Sequence, residues 1–280
     1  MIARKALLFF KPVGFAGYLM FNAYKNGLSN LFLEYFEFIW ASQSGWEVKV
    51  KICVPVPAKT LHETFTMIGN AEREGADLIE IRLDYMGLDI LKDMSCLEDM
   101  VEQCSVPLIA TNRHAEQGGE CKLNEAQRLK TLIRAAEAGF TYVDVELTTQ
   151  GVTEVIDAVK AYGAKAIVSF HNFDYTPSFQ EMEKIAGAQV KAGADVCKIV
   201  TMAKDLADSI RCLLFTLEIS ENSNLVCFAM GEKGLLSRVL SPLFGASFTY
   251  ASLGEGLETA PGQISVRELR EIYRRLNIYP

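Results

Sequence analysis

A lysine stands inside an otherwise apolar run of this sequence. The stretch GADVCKIV, residues 193–200, has the pattern of a buried strand, yet it contains Lys198. A lysine is almost never fully buried unless it is paired or has a chemical role. Burial disfavours the charged amine, and a neutral amine attacks a carbonyl carbon to form a Schiff base. Lys198 is therefore a candidate nucleophile; the alternative is a side chain that extends to the rim of the protein.

Other polar side chains stand near the ends of strand-like runs. Glu80, Arg82 and Asp84 in EIRLD share one strand face by the two-residue period. The others are Arg113 in ATNR, Asp144 and Glu146 in DVEL, His171 in VSFHNF and Arg238 in MGEKGLLSRV. Each has a purely structural alternative: a buried Glu80–Arg82 ion pair, solvated loop arginines, a core histidine, or a glutamate that neutralises a neighbour.

Taken together, these side chains fit acid–base chemistry beside a Schiff base. The iminium at Lys198 withdraws electrons, so a proton on the adjacent carbon becomes removable. His171 could take that proton and hand it to a leaving hydroxyl, while Glu146 orients the imidazole. Two arginines suit a substrate carboxylate. The residues predict a carbonyl substrate, and they leave dehydration and retro-aldol cleavage both open.

The elements that must position these residues repeat one unit from Val48 onward. Eight strand-like runs lie at 50–56, 77–84, 106–113, 142–147, 165–171, 195–200, 225–230 and 247–252. Helical patterns separate them, with Ser178 and Ser265 as predicted N-caps and Gly139 near a predicted helix end. Eight such units predict a (β/α)₈ TIM barrel, which gathers strand ends at one opening. The alternative, an open doubly wound sheet, lacks the expected GxGxxG motif here.

The composition of the chain bears on its partners, its location and its metal content. The 280 residues carry a formal net charge of -7 with no basic patch, so we expect no nucleic-acid partner. Seven scattered cysteines without a CxxC pair fit a reducing, cytoplasmic location, and they predict no structural metal site.

Residues 1–47 differ from the rest, because this segment is rich in aromatic residues and holds both tryptophans. Charged residues interrupt its apolar runs well short of the roughly 20 residues that a membrane span needs. We therefore expect no membrane span. Three interpretations stay open: an extension packed outside the barrel of residues 48–280, an interfacial anchor, or a stretch that is not part of the functional protein.

Several motifs, in order, resemble those of the type I 3-dehydroquinate dehydratase family of the shikimate pathway of aromatic amino acid biosynthesis. EIRLDY, TNRHAEQGGE, DVEL, VSFHNF, CKIV, GLLSRV and TAPGQ carry the resemblance from about Val48 to Pro280. It implies a TIM barrel, commonly dimeric, that dehydrates 3-dehydroquinate to 3-dehydroshikimate without a cofactor.

The resemblance also implies roles for individual residues. Lys198 would form the imine, His171 would move the protons with support from Glu146, and Arg238 would bind the substrate carboxylate. The remaining residues expected to contact hydroxyls or shape the pocket are Glu80, Arg82, Arg113, Thr259 and Gln263. Thr259 stands where the family usually has serine, and its hydroxyl can keep the same hydrogen bond.

Two other functions fit the same fold. A class I aldolase also uses a strand-borne Schiff-base lysine, but Glu232, Glu255 and Glu258 would repel the phosphate that many of its substrates carry. A catalytically silent barrel would serve as a binding protein, with the first 48 residues as its contact surface. A silent relative would be expected to lose Lys198 or His171, and both are present.

Overall fold

A computed structural model describes residues 50–87 and 95–278. Within these ranges, eight β-strands alternate with eight α-helices. The strands are β1 (Ile52–Val56), β2 (Leu78–Arg82), β3 (Leu108–Thr111), β4 (Tyr142–Glu146), β5 (Lys165–His171), β6 (Val196–Met202), β7 (Leu225–Met230) and β8 (Thr249–Tyr250). The helices are α1 (Leu61–Arg73), α2 (Ser95–Gln103), α3 (Glu125–Glu137), α4 (Val152–Ala161), α5 (Phe179–Ala192), α6 (Leu206–Ile219), α7 (Leu235–Leu240) and α8 (Val266–Arg275).

The strands form one parallel sheet in the order β7-β6-β5-β4-β3-β2-β1-β8. The first strand pairs with both β2 and β8, so the sheet curls back on itself. Between β7 and β8, the Ser247 N–H donates to the Leu225 carbonyl at 2.8 Å. The prediction of a (β/α)₈ barrel is confirmed, and all eight strands end at the same opening.

Local sequence explains where the helices begin and end. Three helices begin with a capping box, at Asn124, Ser178 and Ser265. Each of these side chains accepts a hydrogen bond from the backbone N–H three residues further on. The side chain of that later residue in turn accepts a hydrogen bond from the backbone N–H of the capping residue. These capping boxes satisfy N–H groups that the helix leaves unpaired. Gly139 follows the end of α3 with φ of +100°, a conformation that favours glycine.

Two strand ends differ from the sequence prediction. Asp84 was expected on the strand face of Glu80 and Arg82, but β2 ends at Arg82 and Asp84 lies in a short 3₁₀ turn. The last strand is also shorter than predicted, since only Thr249 and Tyr250 pair with β1. Beyond them the chain turns to a bridge between Ser252 and Ser265, which ends the ladder.

The predicted extension of residues 1–47 and its boundary at residue 48 lie outside the described residues. In the part of the chain that the structure does describe, no helix has both the length and the apolar character to cross a membrane.

Candidate active site

A cleft at the carboxyl ends of the strands brings the predicted site residues together. It holds about 510 Å³ of space, counting space open to solvent. The predicted residues that line it are Glu80, Arg82, Arg113, His171, Lys198, Arg238, Thr259 and Gln263. Glu146 does not line it.

Lys198 is buried at the floor of the cleft rather than extended to the rim, with 4% of its surface exposed. Its Nζ lies 2.9 Å from Asp144 Oδ2, 3.0 Å from the Tyr250 hydroxyl and 3.4 Å from Glu80 Oε1. The same nitrogen stands 4.5 Å from the centre of the Tyr250 ring. The burial expected from the sequence is present, and two carboxylates accompany it.

His171, the last residue of β5, presents a neutral imidazole to the cleft. Its ring stacks on Phe173 with centroids 6.0 Å apart, and its buried Nδ1 has no hydrogen-bond partner among the described residues. Burial lowers the pKa of His171 well below its ordinary value, and the positive charges of Arg113 and Lys198 lower it further. An unprotonated imidazole without a partner is available to accept a proton.

Glu146 is buried and does not line the cleft. Its carboxylate accepts hydrogen bonds from Arg128 Nη1 at 2.7 Å and from the His114 backbone N–H at 3.0 Å, and it pairs with Arg113 at 3.1 Å. No hydrogen bond joins Glu146 and His171 in the described ranges, and the expectation that Glu146 orients the imidazole stays a prediction. Arg128, a residue of α3, and Arg113 both pair with the Glu146 carboxylate.

Asp144 is the second carboxylate of β4 and remains charged. It accepts from Ser169 Oγ at 2.6 Å and pairs with Arg113 Nη2 at 2.8 Å. Burial alone would raise the pKa of Asp144, but Arg113 and Lys198, together with the Ser169 hydrogen bond, lower it far below its ordinary value. Asp144 therefore serves as a fixed negative charge beside the amine.

Arg82 does not pair with Glu80 as the structural alternative would require. Its Nε and Nη2 bind both oxygens of Asp84, at 2.9 and 2.7 Å. Asp84 also accepts from the Glu120 backbone N–H at 3.0 Å, which ties the GGE segment to the turn after β2. This fork arrangement fixes the Arg82 guanidinium at the wall of the cleft.

Arg238 is a buried guanidinium that no carboxylate pairs with in the described ranges. Its Nε and Nη1 are buried without a hydrogen-bond partner, and its plane lies 4.3 Å over the Phe228 ring. Burial lowers the pKa of Arg238 to about 9. A buried donor without a partner costs free energy, so this arginine fits an anionic ligand group that enters the cleft.

The loop after β8 supplies Thr259 and Gln263. The Thr259 N–H donates to Gln263 Oε1 at 2.8 Å, and Gln263 Nε2 donates to the Thr259 hydroxyl at 3.3 Å. Gly262, with φ of +75°, lies so close to Gly231 that a Cβ would stand 2.5 Å from the Gly231 carbonyl oxygen. Only glycine lets this loop dock beside Arg238.

The sequence profile of the family described as Type I 3-dehydroquinase matches residues 52–280. The chain belongs to the type I 3-dehydroquinase family. The family predicted from the motifs is confirmed, and with it the prediction of an enzyme of the hydro-lyase class.

Two curated relatives of this type I 3-dehydroquinase are named 3-dehydroquinate dehydratase. The protein of Dehalococcoides mccartyi is 39% identical over 73% of this chain and 88% of its own length. The protein of Methanothermobacter thermautotrophicus is 38% identical over 82% of this chain and 98% of its own length. The solved 3-dehydroquinate dehydratase of Geobacillus kaustophilus superimposes with a TM-score of 0.76 at 26% identity, covering 82% of this chain and 92% of that one.

Sequence reasoning did not select all residues of the cleft in this family member. Tyr250, Thr111, Gln117 and Phe173 line it, and Thr111 donates to Glu80 Oε1 at 2.8 Å. Each stands in a stretch already singled out, so their proximity to predicted residues was the available signal. Among the described residues, no group of three or more His, Cys, Asp or Glu side chains could hold a metal ion.

The buried ion pair between Arg128 and Glu146 predicts that removing Arg128 strongly lowers the stability of the protein. Arg128→Met should lower the free energy of unfolding by about 3 kcal/mol, because it leaves a buried carboxylate short of one partner. Urea unfolding measures the change. Arg134→Met is the matched control from the same helix; its exposed pair with Glu137 should be worth less than about 1 kcal/mol. Equal losses in the two variants would contradict the prediction.

Proposed function

We propose that this type I 3-dehydroquinase dehydrates 3-dehydroquinate to 3-dehydroshikimate through a Schiff base on Lys198, with His171 as base and acid. One observation carries the proposal: a buried amine, a neutral imidazole and an unpaired guanidinium line the same cleft. A relative from Clostridium difficile, solved with covalent modified comenic acid, supports covalent chemistry in the family. Its TM-score to this chain is 0.75 at 25% identity, covering 83% of this chain and 94% of that one.

The first half of the reaction joins the amine to the substrate. The Lys198 nitrogen, once deprotonated, attacks the C3 ketone, and the oxygen leaves as water to give an iminium. The positive iminium takes the place of the ammonium beside Asp144 and Glu80, so the charge balance of the floor is preserved. These fixed carboxylates stabilise the positive intermediate without rearrangement.

The second half moves a proton from C2 to the hydroxyl on C1. His171 takes the C2 proton, and the electrons of that bond pass into the iminium to form an enamine. His171 then protonates the C1 hydroxyl, which departs as water while the iminium is restored. Hydrolysis of the iminium releases the product and the free lysine, so the net change is the loss of one water.

Substrate binding rests on the arginine that no carboxylate pairs with among the described residues. Arg238 would bind the substrate carboxylate through its free donors. Gln263 and Thr259, from the loop after β8, line the same cleft. Arg82 would contact substrate hydroxyls from the opposite wall. Arg113 already pairs with Asp144 and Glu146, so its role would be to shape and charge the cleft.

Glu146 was expected to support His171, and we propose that it does so indirectly. It would act as a positioning residue, because its carboxylate pairs with both Arg113 and Arg128. Any effect of Glu146 on His171 would then pass through the charge and position of Arg113.

Borohydride reduction in the presence of 3-dehydroquinate tests the function. An adduct on Lys198, found by peptide mass spectrometry, with dehydroshikimate formed in the unreduced sample, is the expected result. An adduct accompanied by cleaved carbon fragments would favour the aldolase alternative. Neither adduct nor product would favour the silent barrel. The homodimer, the cytoplasmic location and the role of residues 1–47 stay predictions.

The pKa of His171 predicts how the rate depends on pH. Because this pKa is held well below 6.5, the neutral base persists as the pH falls through 6.5 and is lost only at lower pH. We expect kcat/KM at about pH 6 to stay within about twofold of its value at pH 7.5, whereas an unperturbed histidine would lose about fourfold. Circular dichroism at each pH checks that the protein stays folded. A fourfold loss at pH 6 would contradict the prediction.

A further inference from the structure

The amine of Lys198 needs a route by which it loses and regains protons. Its Nζ donates hydrogen bonds to three groups, Asp144, Tyr250 and Glu80. An ammonium held by two carboxylates cannot attack a carbonyl until one proton has moved elsewhere. The cleft floor must therefore contain the acceptor, unless solvent removes the proton.

Asp144 is poorly suited to be that acceptor. Its oxygens already receive hydrogen bonds from Ser169 and Arg113 as well as from Lys198. Arg113 stays beside it throughout, so protonating Asp144 would leave a buried guanidinium without one of its counter-charges. This leaves Glu80 as the carboxylate that can exchange a proton with the amine.

Tyr250 stands between Lys198 and Glu80. Its hydroxyl accepts from Nζ at 3.0 Å and donates to Glu80 Oε1 at 3.2 Å, and both distances are shorter than the direct 3.4 Å contact between Nζ and Oε1. The side chain is buried between Phe228 and Phe248, which fix its ring at centroid distances of 6.1 and 5.7 Å. Burial raises the pKa of Tyr250 well above its ordinary value, so the hydroxyl keeps a proton to donate.

We propose that Tyr250 is a further catalytic residue, whose hydroxyl relays a proton from Lys198 to Glu80 before imine formation and returns it afterwards; the proposal rests on the Schiff-base function above. In the first step the hydroxyl gives its proton to Glu80 and takes one from Nζ, which becomes a neutral amine. The amine attacks the ketone, and the new alkoxide takes a proton from the nitrogen to give a carbinolamine.

The return step completes the balance. Glu80 passes its proton through Tyr250 to the carbinolamine hydroxyl, the C–O bond breaks, and water leaves as the iminium forms. That oxygen is bonded to the carbon attached to Nζ, so it lies near the groups that contact Nζ. The ammonium contributes three protons in all: two leave in water and one remains on the iminium nitrogen.

Tyr250→Phe tests the relay, since it removes the hydroxyl and keeps the ring. Rapid mixing with 3-dehydroquinate, followed by borohydride quench at increasing times, gives the rate of adduct formation on Lys198. We expect a fall of about tenfold or more, in line with the loss of a general acid–base group. We also expect the rate in this variant to rise more steeply with pH than in the wild type, because solvent hydroxide must replace the relay.

Tyr273→Phe is the matched control. Its buried hydroxyl donates to the Val239 carbonyl at 2.7 Å, outside the cleft, so its loss should leave the rate of adduct formation unchanged. Glu80→Gln, which removes the acceptor, should reproduce the slower and more pH-dependent rate, and it carries the test if Tyr250→Phe fails to fold. Adding Tyr250→Phe to Glu80→Gln should slow adduct formation little further, because both residues serve one step.

The outcomes separate the relay from the function on which it rests. If the wild type forms no adduct, the Schiff-base function fails and the relay with it. If the wild type forms the adduct and folded Tyr250→Phe forms it less than about tenfold more slowly, with an unchanged pH dependence, the function stands and the relay is overturned.

Discussion

Lys198→Ala should leave no borohydride-trapped adduct and should lower kcat for 3-dehydroquinate by at least about 10⁴-fold. Among the residues that the structure describes, no other lysine lines the cleft, so no second amine can replace the nucleophile. Folding should survive, because Asp144 keeps Arg113 and Ser169 as partners after the lysine is removed. Steady-state kinetics, peptide mass spectrometry and a thermal melt measure the three quantities.

The control for this variant is Lys165→Ala, which removes an exposed lysine at the beginning of β5. Its ammonium lies 5.8 Å from the Tyr142 ring at the far end of the strand from the cleft. Turnover and adduct formation should match the wild type. A folded Lys198→Ala protein with more than a trace of activity would show that the lysine is not the nucleophile.

His171→Ala should separate imine formation from proton transfer. We expect kcat to fall by about 10²- to 10⁴-fold, because the base that removes the C2 proton is lost, while an adduct on Lys198 still accumulates. The buried Nδ1 makes no hydrogen bond among the described residues, so the substitution breaks none there. Quenched time courses with borohydride, run beside the turnover assay, give both quantities.

His62→Ala provides the comparison for this second variant, because His62 is an exposed residue of α1 and does not line the cleft. It should change neither kcat nor the adduct. Full activity of His171→Ala would remove the histidine from the mechanism. Loss of the adduct together with turnover would instead place His171 in imine formation, contrary to the order of steps proposed here.

The two variants and the relay test divide the reaction into separate measurements. Lys198→Ala removes the covalent step, Tyr250→Phe slows it, and His171→Ala leaves it in place while blocking the step that follows. A mechanism without a Schiff base would give the same null adduct in all three proteins and in the wild type.

Local sequence predicted the fold of this chain and indicated its candidate reactive groups. Apolar runs marked the eight strands, and capping residues such as Ser178 and Ser265 marked helix starts, because these signals act between residues close in the chain. A lysine inside an apolar run and a histidine at the end of another indicated chemistry, because this signal also lies in residues close together in the chain. Both residues line the cleft.

Only the tertiary structure decided which groups contact one another. Glu146 was expected to orient His171, and the structure adds that its carboxylate contacts Arg128 of α3 and Arg113. The contact of Tyr250 with Lys198 joins residues 52 positions apart, and that of Lys198 with Glu80 spans 118 positions, so local sequence could predict neither contact. Such contacts depend on strand register and on closure of the barrel, which set the distances between side chains that the chain itself keeps far apart.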